Sequence, residues 1–107
     1  MSENIDKKAY YAILFEDYKE LLTEKQIETF ICYYNEDYSL AEIAEEFNIS
    51  RNAVWDTLKK VVSLLEHYEE KLRLYQKDLK LKEYLDDLKK HVDVEGIKII
   101  NSIEEME

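Results

Sequence analysis

Along this chain of 107 residues, apolar side chains recur at steps of three and four, the period of a helix face rather than of a strand. Tyr11, Leu14, Phe15, Tyr18, Leu21 and Leu22 predict a first helix from about Asp6 to Leu22. Thr23, with Gln26 three residues on, reads as a capping box that opens a second helix, whose Ile27, Phe30, Ile31 and Tyr34 face inward. Asn35 to Tyr38 reads as a short link between helices.

The next stretch, Ser39 to Lys60, reads S-L-A-E-I-A-E-E-F-N-I-S-R-N-A-V-W-D-T-L-K-K and has the pattern of a helix-turn-helix. Ser39 and Ser50 each cap a helix, and Glu42 stands where a capping-box partner of Ser39 belongs. Leu40, Ile43, Ala44 and Phe47 share one face of the first helix, Ile49 plugs the turn, and Val54, Leu58 and Val61 share one face of the second. Ala44 is small where two helices must approach closely. Asn48 falls at the turn position that needs a left-handed backbone, which Asn tolerates best after Gly.

The helix opened by Ser50 does not stop with the motif. Val54, Leu58, Val61, Leu65, Tyr68, Leu72, Tyr75 and Leu79 alternate steps of four and three, a heptad seam. Leu81, Leu85, Leu88 and Val92 continue the spacing on a shifted face, which predicts a break near Lys77 to Leu79. Glu95 to Met106 fits a terminal helix with Ile97, Ile100 and Ile103 inward, although Val92 and Val94 also permit an extended piece. The expected architecture is all-α: a single domain over residues 1–107, with a helix-turn-helix at 39–60, a helical extension at 61–92 and a long C-terminal helix. Four helices before residue 62 can fill a core by themselves. The later seam, Val61, Leu65, Tyr68, Leu72, Tyr75 and Leu79, then needs cover, either from the N-terminal helices or from a second copy; a homodimer is the favoured expectation.

Composition sharpens this picture. With no Pro, and Gly only at position 96, nothing punctuates the chain as strand turns would. Nine Tyr and three Phe supply large buried area from few positions. No apolar run approaches the roughly 20 residues of a membrane span, so membrane insertion is not expected. Met1 to Lys8 is polar, unlike a signal peptide, and the expected location is the cytoplasm. Cys32 lies on the apolar face of the second helix and reads as a buried structural thiol.

Net charge is −10, distributed as −8 over residues 1–50, +2 over residues 51–90 and −4 over residues 91–107. Such a chain is repelled from DNA at long range. Its one basic stripe runs from Arg51, Lys59 and Lys60 through Lys71, Arg73, Lys77, Lys80 and Lys82. Catalysis finds little support. His67 and His91 lie on charged helical stretches without metal-ligand spacing, and Asp87 with His91 is a far commoner surface pair than half a metal site. The doublets Glu45-Glu46, Glu69-Glu70 and Asp86-Asp87 are adjacent rather than facing, and no Gly-rich phosphate loop exists. No catalytic residue, metal site or cofactor is expected.

Beyond these patterns, the segments L-F-E-D-Y-K-E-L-L-T-E-K-Q from Leu14, Tyr33-Tyr34, the Ser39 to Asp56 block and L-L-E-H-Y-E-E-K-L from Leu64 resemble the YlxM-like helix-turn-helix proteins. The resemblance covers roughly residues 10–80. That family is similar to the promoter-reading region four of sigma factors, and its gene typically lies beside that of the signal recognition particle GTPase. The resemblance implies a regulatory or accessory role in the signal recognition particle pathway, with components of that particle as partners. If sigma-like recognition carries over, Arg51, Asn52, Trp55, Asp56, Lys59 and Lys60 are the nucleic-acid-binding residues. Arg51 suits guanine or phosphate and Asn52 suits adenine. Asp56 can accept from cytosine but opposes phosphate. Trp55 can stack on an unpaired base, or it can cover a helix seam. Whether the partner is DNA, RNA or protein stays open at this level: the helix-turn-helix can serve equally as the scaffold of a protein-interaction adaptor that docks through its acidic N-terminal surface.

Overall fold

The computed structural model describes the backbone of residues 2–106 and the side chains of residues 7–106. Of the polar stretch Met1 to Lys8, the side chains before Lys7 therefore lie outside the described residues. Among the described residues there are six α-helices and no strand, which is the predicted all-α class. Backbone contacts divide the chain into two units, Met1–Arg73 and Leu74–Glu107.

The first unit holds four helices. Helix α1, Ser2–Tyr18, tightens into a 3₁₀ turn at Lys19–Leu21. The chain then turns extended at Leu22, and Thr23 caps α2, Glu24–Phe30. Both bonds of the predicted box are made: the Gln26 amide donates to Thr23 Oγ1 at 3.2 Å, and the Thr23 amide donates to Gln26 Oε1 at 2.9 Å. A π-helical turn, Ile31–Asn35, extends α2 toward the link. Ser39 and Glu42 form the second complete box, at 3.1 and 3.0 Å, and open α3, Leu40–Phe47. Asn48 ends α3 with φ 55°, the left-handed conformation its side chain tolerates, and its N–H reaches the carbonyls of Ala44 and Glu45. Ser50 then caps α4, Arg51–Leu72, by accepting from the Ala53 amide at 3.0 Å. Because Ala occupies the position where Ser39 finds Glu42, this third cap has no reciprocal bond.

Helix α4 is the spine of the unit, and α1, α2 and α3 each pack on it. The helix-turn-helix core is Ile43, Ala44, Val54 and Leu58, with Leu40, Phe47 and Ile49 against it, as the apolar pattern predicts. Leu14, Phe15, Tyr18, Leu22, Phe30, Val61 and Leu65 are buried beside it. The Phe15 and Phe30 rings stack at 4.2 Å, and Phe30 stacks on Tyr34 at 4.4 Å. Cys32 is half-buried against this core rather than fully buried. Burial pushes its thiol pKa up, and the Glu36, Glu28 and Glu46 carboxylates push it further, so the reactive thiolate is disfavoured.

The seam departs from expectation in two respects. Val61 and Leu65 are both 0% exposed within one chain, so they belong to the intramolecular core and are not available for pairing. Helix α1 lies along this half of α4: the Tyr18 hydroxyl donates to the buried Glu69 carboxylate at 2.7 Å, and the Tyr18 and Tyr68 rings lie 5.9 Å apart. The helix also ends sooner than the periodicity predicts. Arg73 adopts φ 57° and its N–H closes on the Glu69 carbonyl at 2.8 Å, so the break falls at Arg73 instead of Lys77 to Leu79. A left-handed residue that is not Gly leaves no mark on an apolar pattern. Leu72 and Leu79 are each 46% exposed and Tyr75 is half-buried.

The second unit comprises α5, Leu74–Leu88, a 3₁₀ turn at Lys89–His91, and α6, Val94–Glu105. Val92 is extended, one of the two residues for which that form was open, whereas Val94 is already the first residue of α6, which Asp93 caps by accepting from the Gly96 amide at 2.9 Å. Ile100 is buried and Ile97 half-buried, whereas Ile103 is at the surface. Lys89 reaches Glu104 at 2.8 Å, which ties the turn to α6 and raises the lysine pKa.

Candidate nucleic-acid interface

The Ser50 cap sets where α4 begins, and therefore which side chains its first turns present. Arg51 and Asn52 occupy the first turn, with Trp55 and Asp56 one turn on and Lys59 and Lys60 a turn beyond; all six are exposed. The core-facing positions of the same turns, Val54 and Leu58, are buried, which fixes the rotation of the helix and keeps the six on its outward side. Arg51, Asn52 and Trp55 line, together with Leu40 of α3, a shallow concavity of about 340 Å³. The first turn of the second motif helix and the motif's first helix thus meet in one surface.

Electrostatics modify the predicted set. Lys59 Nζ stands 3.6 Å from Asp56 Oδ1 and 5.9 Å from the centre of the Trp55 ring. Asp56 therefore holds a neighbouring cation instead of facing a ligand alone, and Lys59 is partly neutralised within the helix. Among the described residues, Arg51 and Lys60 take part in no ion pair. The longer basic stripe is divided between the units: Lys71 and Arg73 close the first, while Lys77, Lys80 and Lys82 belong to the second, where Lys80 pairs with Glu83 at 3.7 Å.

Trp55, 45% exposed, neither seals a helix seam nor stands isolated. It is also one wall of a second groove of about 330 Å³ formed with Leu58, Lys59, Val62, Ser63 and Glu66 of α4, Tyr11 of α1 and Tyr34 of the π turn. The Tyr11 hydroxyl donates to Glu66 Oε1 at 2.8 Å, and the Tyr11 and Tyr34 rings meet edge to face at 6.4 Å. Burial, reinforced by the hydrogen bond to Glu66 and by that carboxylate's charge, pushes the Tyr11 pKa up to about 12, so the phenol stays neutral and donating. Burial likewise raises the Tyr34 pKa. The α4 members lie at steps of four and three from Trp55 and could have been found on a helical wheel. Tyr11 and Tyr34 read as core positions in the sequence, and only the packing of α1 and the π turn on α4 brings them here.

His67 and His91 are exposed. Among the described residues, no three His, Cys, Asp or Glu side chains gather where they could hold a metal ion.

The capped helix pair, its left-handed Asn48 turn and the outward first turn of α4 define a helix-turn-helix protein. Residues 5–106 match the model of the UPF0122 family, described as helix-turn-helix proteins, YlxM / p13 like. The chain is 49% identical over 89 residues to a UPF0122 protein of Halalkalibacterium halodurans, covering 83% of this chain and 82% of the relative. It is 44% identical over 105 residues to one from Streptococcus thermophilus (94% and 96% coverage) and 39% identical over 109 residues to one from Anoxybacillus flavithermus (96% and 99% coverage). The chain belongs to the YlxM / p13-like helix-turn-helix family.

Proposed function

We propose that the first half of α4 is a salt-sensitive contact edge for nucleic acid or ribonucleoprotein, and that the protein acts there as a non-catalytic regulator or accessory factor. The observation that carries this reading is the Ser50-capped start of α4, which holds Arg51, Asn52 and Trp55 exposed side by side. Arg51 is suited to guanine or phosphate and Asn52 to adenine. Duplex DNA is the less favoured ligand, because the motif sums to −1 within a chain of −10 and Lys59 already answers Asp56. The family resemblance directs the choice of partner to the signal recognition particle, its RNA and its GTPase. Under this reading the protein works in the cytoplasm, beside those partners. No helix among the described residues is long and apolar enough to cross a membrane.

The test is association of the wild type and of the Arg51→Ala/Lys59→Ala double variant with the particle's RNA and GTPase, separately and together, across a salt series. The expected result is weaker binding by the variant, with a dependence on salt that flattens by roughly one unit of slope per lost phosphate contact, while the circular dichroism spectrum is unchanged. Unaltered binding by this variant, with loss on changing Glu16, Asp17 and Glu20 of α1, would make the motif a scaffold and the protein an adaptor that docks through its acidic face. A second copy of the chain belongs to the same reading. Among the described residues of the second unit Leu74, Leu79, Leu81, Tyr84, Leu88, Val94, Ile99, Ile103 and Met106 are exposed, against only Leu85 and Ile100 buried, and helical units this small usually need further cover. Sedimentation at micromolar concentration should give the mass of two chains; a one-chain mass would remove the dimer.

A further inference from the structure

We propose that the groove between Trp55, Tyr11 and Tyr34 is a pocket for one unpaired base of a single-stranded nucleic acid, which makes the α4 edge a reader of looped or open strands rather than of duplex. The inference rests on the nucleic-acid reading above and adds to it the form of the ligand. Trp55 is the wall common to both concavities: Arg51 and Asn52 line the hollow on one side of it, and Tyr11, Tyr34, Lys59, Ser63 and Glu66 line the groove on the other. A strand that engages Arg51 and Asn52 therefore meets the indole next, and a base turned off that strand has the groove before it. At about 330 Å³ the groove is at the small-ligand end of pocket sizes.

Its lining matches the parts of a nucleotide. The half-exposed indole offers a stacking face, and the Tyr11 and Tyr34 rings add aromatic lining to the same groove. Leu58 and Val62 form an apolar floor. Glu66, oriented by the Tyr11 hydroxyl at 2.8 Å, can accept from an exocyclic base amine. Lys59, 5.9 Å from the indole centre, can leave Asp56 for the phosphate of the same nucleotide. A cationic peptide side chain fits less well, since it would enter the groove against the like charge of Lys59, which a nucleotide phosphate would instead attract. In duplex the bases are stacked and paired, and extruding one costs what a loop does not demand.

Trp55 is the only tryptophan of the chain, so its emission reports on the groove directly. We would titrate the full-length protein with a labelled single-stranded RNA, with the same sequence as a duplex, with nucleoside monophosphates and with an arginine-rich peptide, reading Trp55 emission and the label's anisotropy together. Ser63→Leu fills the groove from an exposed helix position without changing charge, and Arg51→Ala tests the neighbouring hollow. The expected results are quenching of Trp55 by the single strand, and more weakly by the monophosphates, with duplex at least ten-fold weaker. Ser63→Leu should lose roughly ten-fold in single-strand affinity while its circular dichroism and Arg51-dependent salt slope persist. Binding of single strand with unchanged Trp55 emission and full affinity in Ser63→Leu would overturn the pocket and leave the nucleic-acid edge standing. Equal affinity for duplex would do the same. Absence of any RNA binding, with quenching by the peptide alone, would overturn both and assign the groove to a protein ligand.

Discussion

Replacing Tyr18 with Phe removes one oxygen from the interior and nothing else. That oxygen donates to Glu69 at 2.7 Å, and both residues are buried, Glu69 at 5% exposure. The Phe ring can keep the contacts of the Tyr18 ring, including its approach to Tyr68 at 5.9 Å, so the cavity contribution is small. What is lost is a hydrogen bond to a carboxylate held away from water, worth about 1.5–3 kcal/mol. The stability of a domain this size is only about 5–10 kcal/mol. A loss of about 2 kcal/mol should therefore lower the melting temperature by about 8–16 °C. Urea denaturation followed by Trp55 emission is the suitable assay, because that tryptophan lies in the same unit as the pair. Glu69→Gln keeps an acceptor for the phenol and should lose less. Tyr18→Phe/Glu69→Leu removes both ends of this bond, and the double-mutant cycle should show a coupling between the two positions. A midpoint for Tyr18→Phe within about 0.5 kcal/mol of wild type would refute the claim that this bond fastens α1 to α4.

The remaining expectations concern helix ends. Ser39→Ala and Ser50→Ala should each cost about 1 kcal/mol in urea denaturation, and unmoved midpoints would mean that these caps do not hold the motif. Glu42 has its carboxyl pKa lowered chiefly by the Ser39 backbone bond and then by the Ser39 side chain; the stability it adds is present above the ordinary carboxylate range and is lost as pH falls through the lowered value. Glu42→Gln should accordingly flatten the acid limb of stability against pH. Gly96→Ala should destabilise the second unit despite Ala's better helix propensity of about 1 kcal/mol, because the new Cβ would meet Val92 Cβ at 2.6 Å; a rise in melting temperature would show that Val92 yields freely. Arg73→Gly should stabilise the chain by about 1 kcal/mol by relieving a left-handed backbone at φ 57°, and a loss of stability would mean that the arginine side chain outweighs that relief.

Local chemistry was legible in the sequence wherever it acts over three or four residues. Thr23, Ser39, Ser50 and Asn48 announce their roles because a cap or a left-handed turn is satisfied by its immediate neighbours, and the structure forms each as predicted. The outward set Arg51, Asn52, Trp55, Asp56, Lys59 and Lys60 comes from the same periodicity, since fixing Val54 and Leu58 inward fixes the opposite side of one helix. Periodicity also marked Val61 to Leu79 as needing cover, but cover is a property of what lies across from a side chain. Only the tertiary structure decided that α1 lies along Val61 and Leu65, that Tyr18 reaches Glu69 across 51 residues of sequence, and that Tyr11 and Tyr34 join Trp55 in one groove. The end of α4 at Arg73 was hidden for a related reason: apolar spacing records which face a residue prefers, and it is blind to a single backbone dihedral in a residue that carries no glycine signal.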